Sequence, residues 1–182
     1  MIRLTRSLTP LSLTAVSLIA LTACATTGQA ATSTVLATAP LATADGHSAG
    51  RAELVTSGDQ IRLHLTASGL PAGAHGAHLH TTGRCDAPGF ASAGGHLNLA
   101  GHQHGTENPA GPHLGDLPNL IVKDDGTGEL TVPVSVVRAD FDARVFDTDG
   151  TAIVIHAGPD DYKTDPSGNS GGRIACGVFA RP

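Results

Sequence analysis

The chain has no tryptophan, one tyrosine, four phenylalanines and a single methionine in 182 residues. A core made this way cannot lean on aromatic side chains and must come from Val, Ile, Leu and Ala, many of them strand formers set between Gly and Pro. Charge is also sparse: Asp, Glu, Lys and Arg make up 15% of the chain, and the 16 acidic residues outnumber the 11 basic ones. Nothing basic enough is present to bind nucleic acid or an anionic membrane surface. No segment carries a sustained helical period, and no apolar run is long enough for a comfortable membrane span. The length suits one domain with a full hydrophobic core, and an all-β fold is the leading expectation.

The opening "MIRLTRSLTPLSLTAVSLIALTAC" places Arg3 and Arg6 before a short apolar run broken by Pro10, the pattern of a secretory signal over residues 1–23. Leu21-Thr22-Ala23-Cys24 resembles the lipobox of bacterial lipoproteins, so Cys24 is expected as the lipidated first residue of the mature chain. Ala23-Cys24-Ala25 would also serve as an ordinary small-x-small cleavage site. Loss of Arg3 and Arg6 leaves nine basic against sixteen acidic residues, a mature charge near −7. Residues 24–44, Ala/Thr-rich and almost uncharged, are expected to form a flexible tether with a reach of about 25 Å, in preference to a first strand through Val35 and Leu36. The remaining two cysteines, Cys85 and Cys176, should pair in an exported protein.

The folded part is expected over 45–182. "RAELVT", the turn Ser57-Gly58-Asp59 and "QIRLHLTA" read as a hairpin, with Ile61, Leu63 and Leu65 on one face and His64 on the other. Further strands are expected around Ala77 to Thr81, Asn119 to Lys123, Glu129 to Val137, Ala152 to His156 and Arg173 to Phe179. Short strands at this spacing suggest a Greek-key sandwich or barrel. Between Thr82 and Pro118 there is almost no strand pattern, and a structureless stretch of this length in a compact domain usually serves function. It holds Cys85 and four histidines.

Imidazole is the commonest metal-binding side chain, and "HGAHLH" packs three of them into six residues. On a strand, His78 and His80 project to the same face while Ala77 and Leu79 turn into the core, which makes a two-imidazole half-site. His75 is out of phase and reads as a structural histidine. His156, ending the apolar strand "TAIVIH", can face the pair as a further ligand. The long stretch supplies His96, His104, His113 and Asp116, a set that closes a tetrahedral shell suited to structural Zn²⁺. On spacing alone His102 competes with His104. Zn²⁺ is redox-inert, so electron chemistry belongs to the nitrogen-rich set, whose ligand type suits copper.

Taken in order, "HGAHLH", "GRC", "SAGGHLN", "HQHG", "GPHLGDLPNL", "IVIHAGPDD" and "GNSGGRIACGV" resemble the bacterial copper/zinc superoxide dismutases over essentially all of Asp45 to Pro182. The resemblance implies a β-sandwich or flattened barrel, of which this family is a known example, with a long metal-binding loop and an electrostatic loop. It makes His78, His80, His96 and His156 the copper ligands and His96, His104, His113 and Asp116 the zinc ligands, with His96 shared, and so prefers His104 over His102. Asp160 matches the aspartate that accepts hydrogen bonds from one copper-ligand and one zinc-ligand histidine. Arg173, in "GGRIAC", matches the arginine beside copper, and Lys163 is a second candidate for steering the anion. The implied reaction is dismutation of superoxide to O₂ and hydrogen peroxide in the cell envelope or periplasm, with the ring of His96 alternating between metal and proton.

Two rival readings fit part of the pattern. A hydrolase of the HxH type needs a barrel of about 250 residues, more than the mature chain holds. A copper- or zinc-buffering protein on the same fold would not need Arg173 at an open copper face. The sequence is compatible with a homodimer.

Overall fold

The computed structural model describes residues 33–58 and 60–182. The expected leader, Cys24 and the first part of the tether lie outside the described residues. Nine strands form one antiparallel sheet: β1 (Thr34–Thr43), β2 (Ser48–Ser57), β3 (Gln60–Ala67), β4 (Gly73–His75), β5 (Ala77–His80), β6 (Leu120–Val122), β7 (Gly128–Val137), β8 (Ala152–His156) and β9 (Arg173–Val178). Their spatial order is β4-β6-β7-β3-β2-β1-β9-β8-β5. The two strands at opposite ends of that order, β4 and β5, are consecutive in the chain and separated only by Gly76. A sheet whose edge strands are joined by one residue has to curl round until those edges meet, so the fold is a nearly closed flattened barrel, as expected.

Five strands stand where the alternation and apolar runs put them, and β2 and β3 form the expected hairpin, paired from Gly50↔Ala67 to Ser57↔Gln60. Ile61, Leu63 and Leu65 are buried while His64 is half-buried on the opposite face. The tether is the main correction. Residues 34–43, expected to be flexible, form β1, paired with β2 from Thr34↔Thr56 to Ala42↔Ser48 and with β9 through Ala42↔Cys176 and Thr43↔Ala175. Ala37, Ala39 and Leu41 alternate into the core. Such small side chains carry little hydropathic signal, and the strand exists because its backbone completes the ladder between β2 and β9. The three-residue β4 and the short helix α1 (Phe141–Val145), which buries Phe141 and Val145, also escaped the strand pattern.

The uninterrupted apolar run of β8 has a direct cause. Ile153 and Ile155 face the barrel core with Leu79, Leu97 and Leu120, while Ala152 and Val154 face outward into a second cluster with Phe90, Ala93 and Cys176. Both faces are covered, so no polar alternation survives. The outer cover is the long segment after β5, which packs Phe90 against β8 and β9 and is pinned by the disulfide Cys85–Cys176, closing a sequence separation of 91.

Replacing Cys85 and Cys176 together by serine should lower folding stability by about 4–5 kcal/mol on the loop-closure model. Urea denaturation of the mature domain reads this directly, and an unchanged midpoint would contradict it.

Candidate metal centre

The site is built along β5. One edge of β5 pairs with β8, in register Ala77↔Ile155 to His80↔Ala152. The long segment occupies its other edge. Leu79 N–H donates to Gly115 O at 2.9 Å, Leu97 N–H to Leu79 O at 2.8 Å and Thr81 N–H to Gly95 O at 3.0 Å. These bonds lay His96 beside His80 and Asp116 beside His78 as bridge partners. Only glycine allows the approach at position 115, where a Cβ would stand 2.3 Å from Leu79 O.

Pleating turns His78 and His80 outward from β5, and His156 joins them from the end of β8. Together with His96, each offers one ring nitrogen within 4.8 Å of the others. His78 Nδ1, His80 Nε2, His96 Nε2 and His156 Nε2 are buried and have no hydrogen-bond partner among the described residues. The opposite nitrogens are all anchored: His78 Nε2 on Asp160 Oδ2 at 2.7 Å, His80 Nδ1 on Gly94 O at 3.0 Å, His156 Nδ1 on Gly171 O at 3.0 Å and His96 Nδ1 on Asp116 Oδ1 at 2.9 Å. The anchored nitrogen of His80 and of His156 carries the proton it donates, which leaves a lone pair on the partnerless one. Buried polar atoms are ordinarily satisfied, so four convergent lone pairs fit a cation that prefers imidazole, as copper does.

A second set surrounds one carboxylate oxygen. Asp116 Oδ1 lies 2.9 Å from His96 Nδ1, 3.0 Å from His104 Nδ1 and 3.2 Å from His113 Nδ1, and the His96 and His113 Nδ1 atoms are 3.5 Å apart. A tetrahedral zinc with bonds of about 2.0–2.1 Å has ligand–ligand edges of about 3.3 Å, so these donors fit that ion. His78 also comes within 4.8 Å of His96, His104 and Asp116. Its Nε2 is taken by Asp160, however, and its Nδ1 belongs to the four-imidazole group, so His113 is the better fourth member. Asp116 Oδ2 is held by the N–H groups of Gly105 and His113, each at 2.9 Å.

Asp160 ties the two sets together, with Oδ2 on His78 and Oδ1 2.9 Å from His104 Nε2. Gly168 packs its backbone over this junction at φ +64, where a Cβ would lie 1.8 Å from Asp160 Oδ1. His102 points elsewhere: its Nδ1 donates to Pro112 O at 2.9 Å, and its carbonyl accepts from His113 Nε2 at 3.1 Å. His75 lies with its two nitrogens 2.8 Å from His156 O and 2.9 Å from Pro71 O, in keeping with a structural histidine.

Burial keeps the four imidazoles of the first set neutral. Desolvation lowers His80 to about 2 and His156 to about 4, and it lowers His78 to about 4 against the opposing pull of Asp160. His96 is lowered for the same reason. Burial opposes ionisation of Asp116 and Asp160, yet hydrogen bonds from His96 and backbone N–H groups in the one, and from His78 and His104 in the other, hold both below the ordinary carboxyl range. Neutral imidazole and ionised carboxylate are the metal-binding forms.

Above the four-imidazole set opens a cleft of about 540 Å³, lined by His96, His156, Asp165 and Arg173 among others. Arg173 is fixed there by donating from Nη1 to Phe90 O at 2.6 Å and from Nη2 to Gly94 O at 2.7 Å. Lys163 is not among the residues lining this cleft; its Nζ pairs with Glu107 Oε2 at 2.8 Å on the surface.

The copper/zinc superoxide dismutase family profile matches residues 48–179. The chain belongs to this family. It is 46% identical to a copper/zinc superoxide dismutase of Aquifex aeolicus over 138 residues, which is 74% of this chain and 81% of that protein. Among solved structures it is similar to a superoxide dismutase-like protein from Bacillus subtilis, with a TM-score of 0.73, 37% identity and coverage of 81% of this chain and all of that one. It is also similar to the Cu/Zn superoxide dismutase of Brucella abortus, with a TM-score of 0.64, 26% identity and coverage of 82% of this chain and all of that one. The two metals in the names of these relatives match two donor sets of different composition. Sequence reasoning missed Asn119 and Tyr162, which contact Asp160, and the carbonyls that hold Arg173; no residue pattern marks either.

The lowered histidines have a consequence in the metal-free protein. Between about pH 6.5 and pH 4 the unfolded chain binds protons at His78, His80 and His156 that the folded chain does not, so stability falls as pH falls. Thermal unfolding of chelator-stripped protein should show a lower Tm at pH 5 than at pH 7. An equal or higher Tm at pH 5 would refute the buried neutral cluster.

Proposed function

We propose that this chain dismutates superoxide to O₂ and hydrogen peroxide, with His78, His80, His96 and His156 holding copper, and His96, His104, His113 and Asp116 holding zinc. The observation that carries the reading is the set of four partnerless, buried ring nitrogens beneath a cleft edged by a fixed arginine. Bound copper supplies one-electron oxidation and reduction, and zinc supplies a fixed positive charge. The protein's own residues do the rest.

His96 has a nitrogen in each donor set, so its ring is the group that can hold a proton at Nε2 and deliver it to reduced substrate. Asp160 and the carbonyls of Gly94 and Gly171 fix the orientation of the other three rings, which keeps their lone pairs convergent. Arg173 presents a planar donor group held by two carbonyls, suited to orienting a small anion in the cleft. The protein is net acidic, so attraction of an anion has to come from local potential, an effect for which this family is a known example. Lys163, neutralised by Glu107, adds little to it, and Arg173 carries the role. A metal-buffering protein would leave both the cleft and the fixed arginine without a use.

We further propose that the chain is exported by its leader and anchored through a lipid on Cys24. Cleavage and mass analysis of the mature N-terminus tests this, and an unmodified N-terminus would remove the anchor.

Asp116→Ala should lose zinc first, because it opens the closed set while leaving every copper ligand in place. Metal analysis after dialysis against a chelator checks this, and zinc retained at wild-type affinity would overturn the assignment. Arg173→Ala should lower kcat/KM by about tenfold or more with both metals bound, and Arg173→Glu should lower it further. The wild-type rate should also fall with added salt, since the field is screened over about 8 Å at physiological ionic strength. A metal-replete Arg173→Glu protein with wild-type activity and salt dependence would take this residue out of the reaction.

A further inference from the structure

We propose that Asn119 and Tyr162 are positioning residues that fix Asp160 and thereby the mutual placement of the two metal sites. The proposal rests on the assignment of His78 to copper and His104 to zinc. The carboxylate of Asp160 is fully engaged: Oδ2 meets His78 Nε2 at 2.7 Å, and Oδ1 meets His104 Nε2 at 2.9 Å and accepts from Tyr162 N–H at 2.6 Å. Its backbone is held on both sides by one side chain, since Asn119 Oδ1 accepts Asp160 N–H at 2.8 Å and Asn119 Nδ2 donates to Asp160 O at 2.9 Å. Tyr162 closes the circuit, its phenol oxygen accepting the backbone N–H of Asn119 at 2.9 Å.

The backbone of Tyr162 shows how firmly this circuit is imposed. Its φ is 62°, in the left-handed region that non-glycine residues rarely adopt unless their surroundings over-determine it. Three contacts do so here: its N–H on Asp160, its carbonyl accepting Glu107 N–H at 3.0 Å, and its phenol on Asn119. The left-handed turn is what brings the phenol back to the residue that clamps Asp160. Asn119 opens the segment leading into β6, and Tyr162 lies between β8 and β9, so the circuit joins two parts of the chain at the point where both metal sites share a carboxylate. With Asp160 held at backbone and side chain alike, His78 and His104 cannot reorient independently.

Removal of the phenol oxygen leaves the Asn119 N–H without its partner and frees Asn119, and with it Asp160. Partners of ligating side chains ordinarily matter for metal retention by tenfold or more. The protein loaded with both metals should therefore release zinc to a colorimetric chelator about tenfold faster as Tyr162→Phe, which keeps the ring and deletes only the oxygen. The copper electron paramagnetic resonance spectrum of that variant, recorded before zinc release, should differ from wild type, because His78 is no longer held in orientation. Asn119→Ala should act in the same direction. The double variant should be no worse than Asn119→Ala alone, because both side chains act through one carboxylate.

A role confined to folding would lower the unfolding midpoint without moving zinc release or the copper spectrum. That result in both variants, or fully additive effects in the double variant, would overturn the proposal. Wild-type protein that takes up no zinc would instead overturn the metal assignments, a failure separable from normal uptake with unchanged variants.

Discussion

The metal centre depends on the pairing of the long segment with the free edge of β5. Without it, the two outward histidines of β5 meet only His156 from β8. Once Leu79 is bonded to both Gly115 and Leu97, His96 and Asp116 fall beside His80 and His78, and the other ligands have a fixed frame to meet. The same pairing covers an exposed strand edge, so it satisfies backbone groups that would otherwise invite pairing with another chain. One set of backbone hydrogen bonds thus serves both the fold and the site.

The charge pattern follows from burial. The surface is acidic, yet the centre gathers six buried histidines, four of which (His78, His80, His96 and His156) desolvation favours in their neutral form, and its two carboxylates are kept ionised by the donors around them. Cations are therefore the natural occupants of the interior, while the cleft above presents an arginine to solvent. Charge is segregated by depth, and net charge says little about what the site attracts.

Stability and site geometry are linked through the outer cover. Cys176 on β9 lies three residues beyond Arg173, and its disulfide partner Cys85 anchors the segment that contains Phe90 and Gly94. Those two residues supply the carbonyls that hold Arg173, and Gly94 O also accepts from His80. A cross-link that favours folding thus also fixes an anion-binding group and one imidazole.

By itself the sequence determined whatever depends on local geometry. Alternation in "AHLH" divides Ala77 and Leu79 from His78 and His80 because a pleated strand has a period of two, and the structure keeps that division. The cysteine pairing followed from there being only two cysteines in the folded part, and ordered motifs identified the family. The Ala/Thr-rich β1 showed in the sequence only as the lesser reading of Val35 and Leu36, because small side chains give little contrast and a waiting ladder is what makes them a strand. The circuit of Asn119, Asp160 and Tyr162 was equally hidden, since it joins residues 41 and 43 positions apart. Which distant segments meet is decided by closure of the barrel and by the loop laid on β5, and those contacts have no signature in the spacing of residues along the chain.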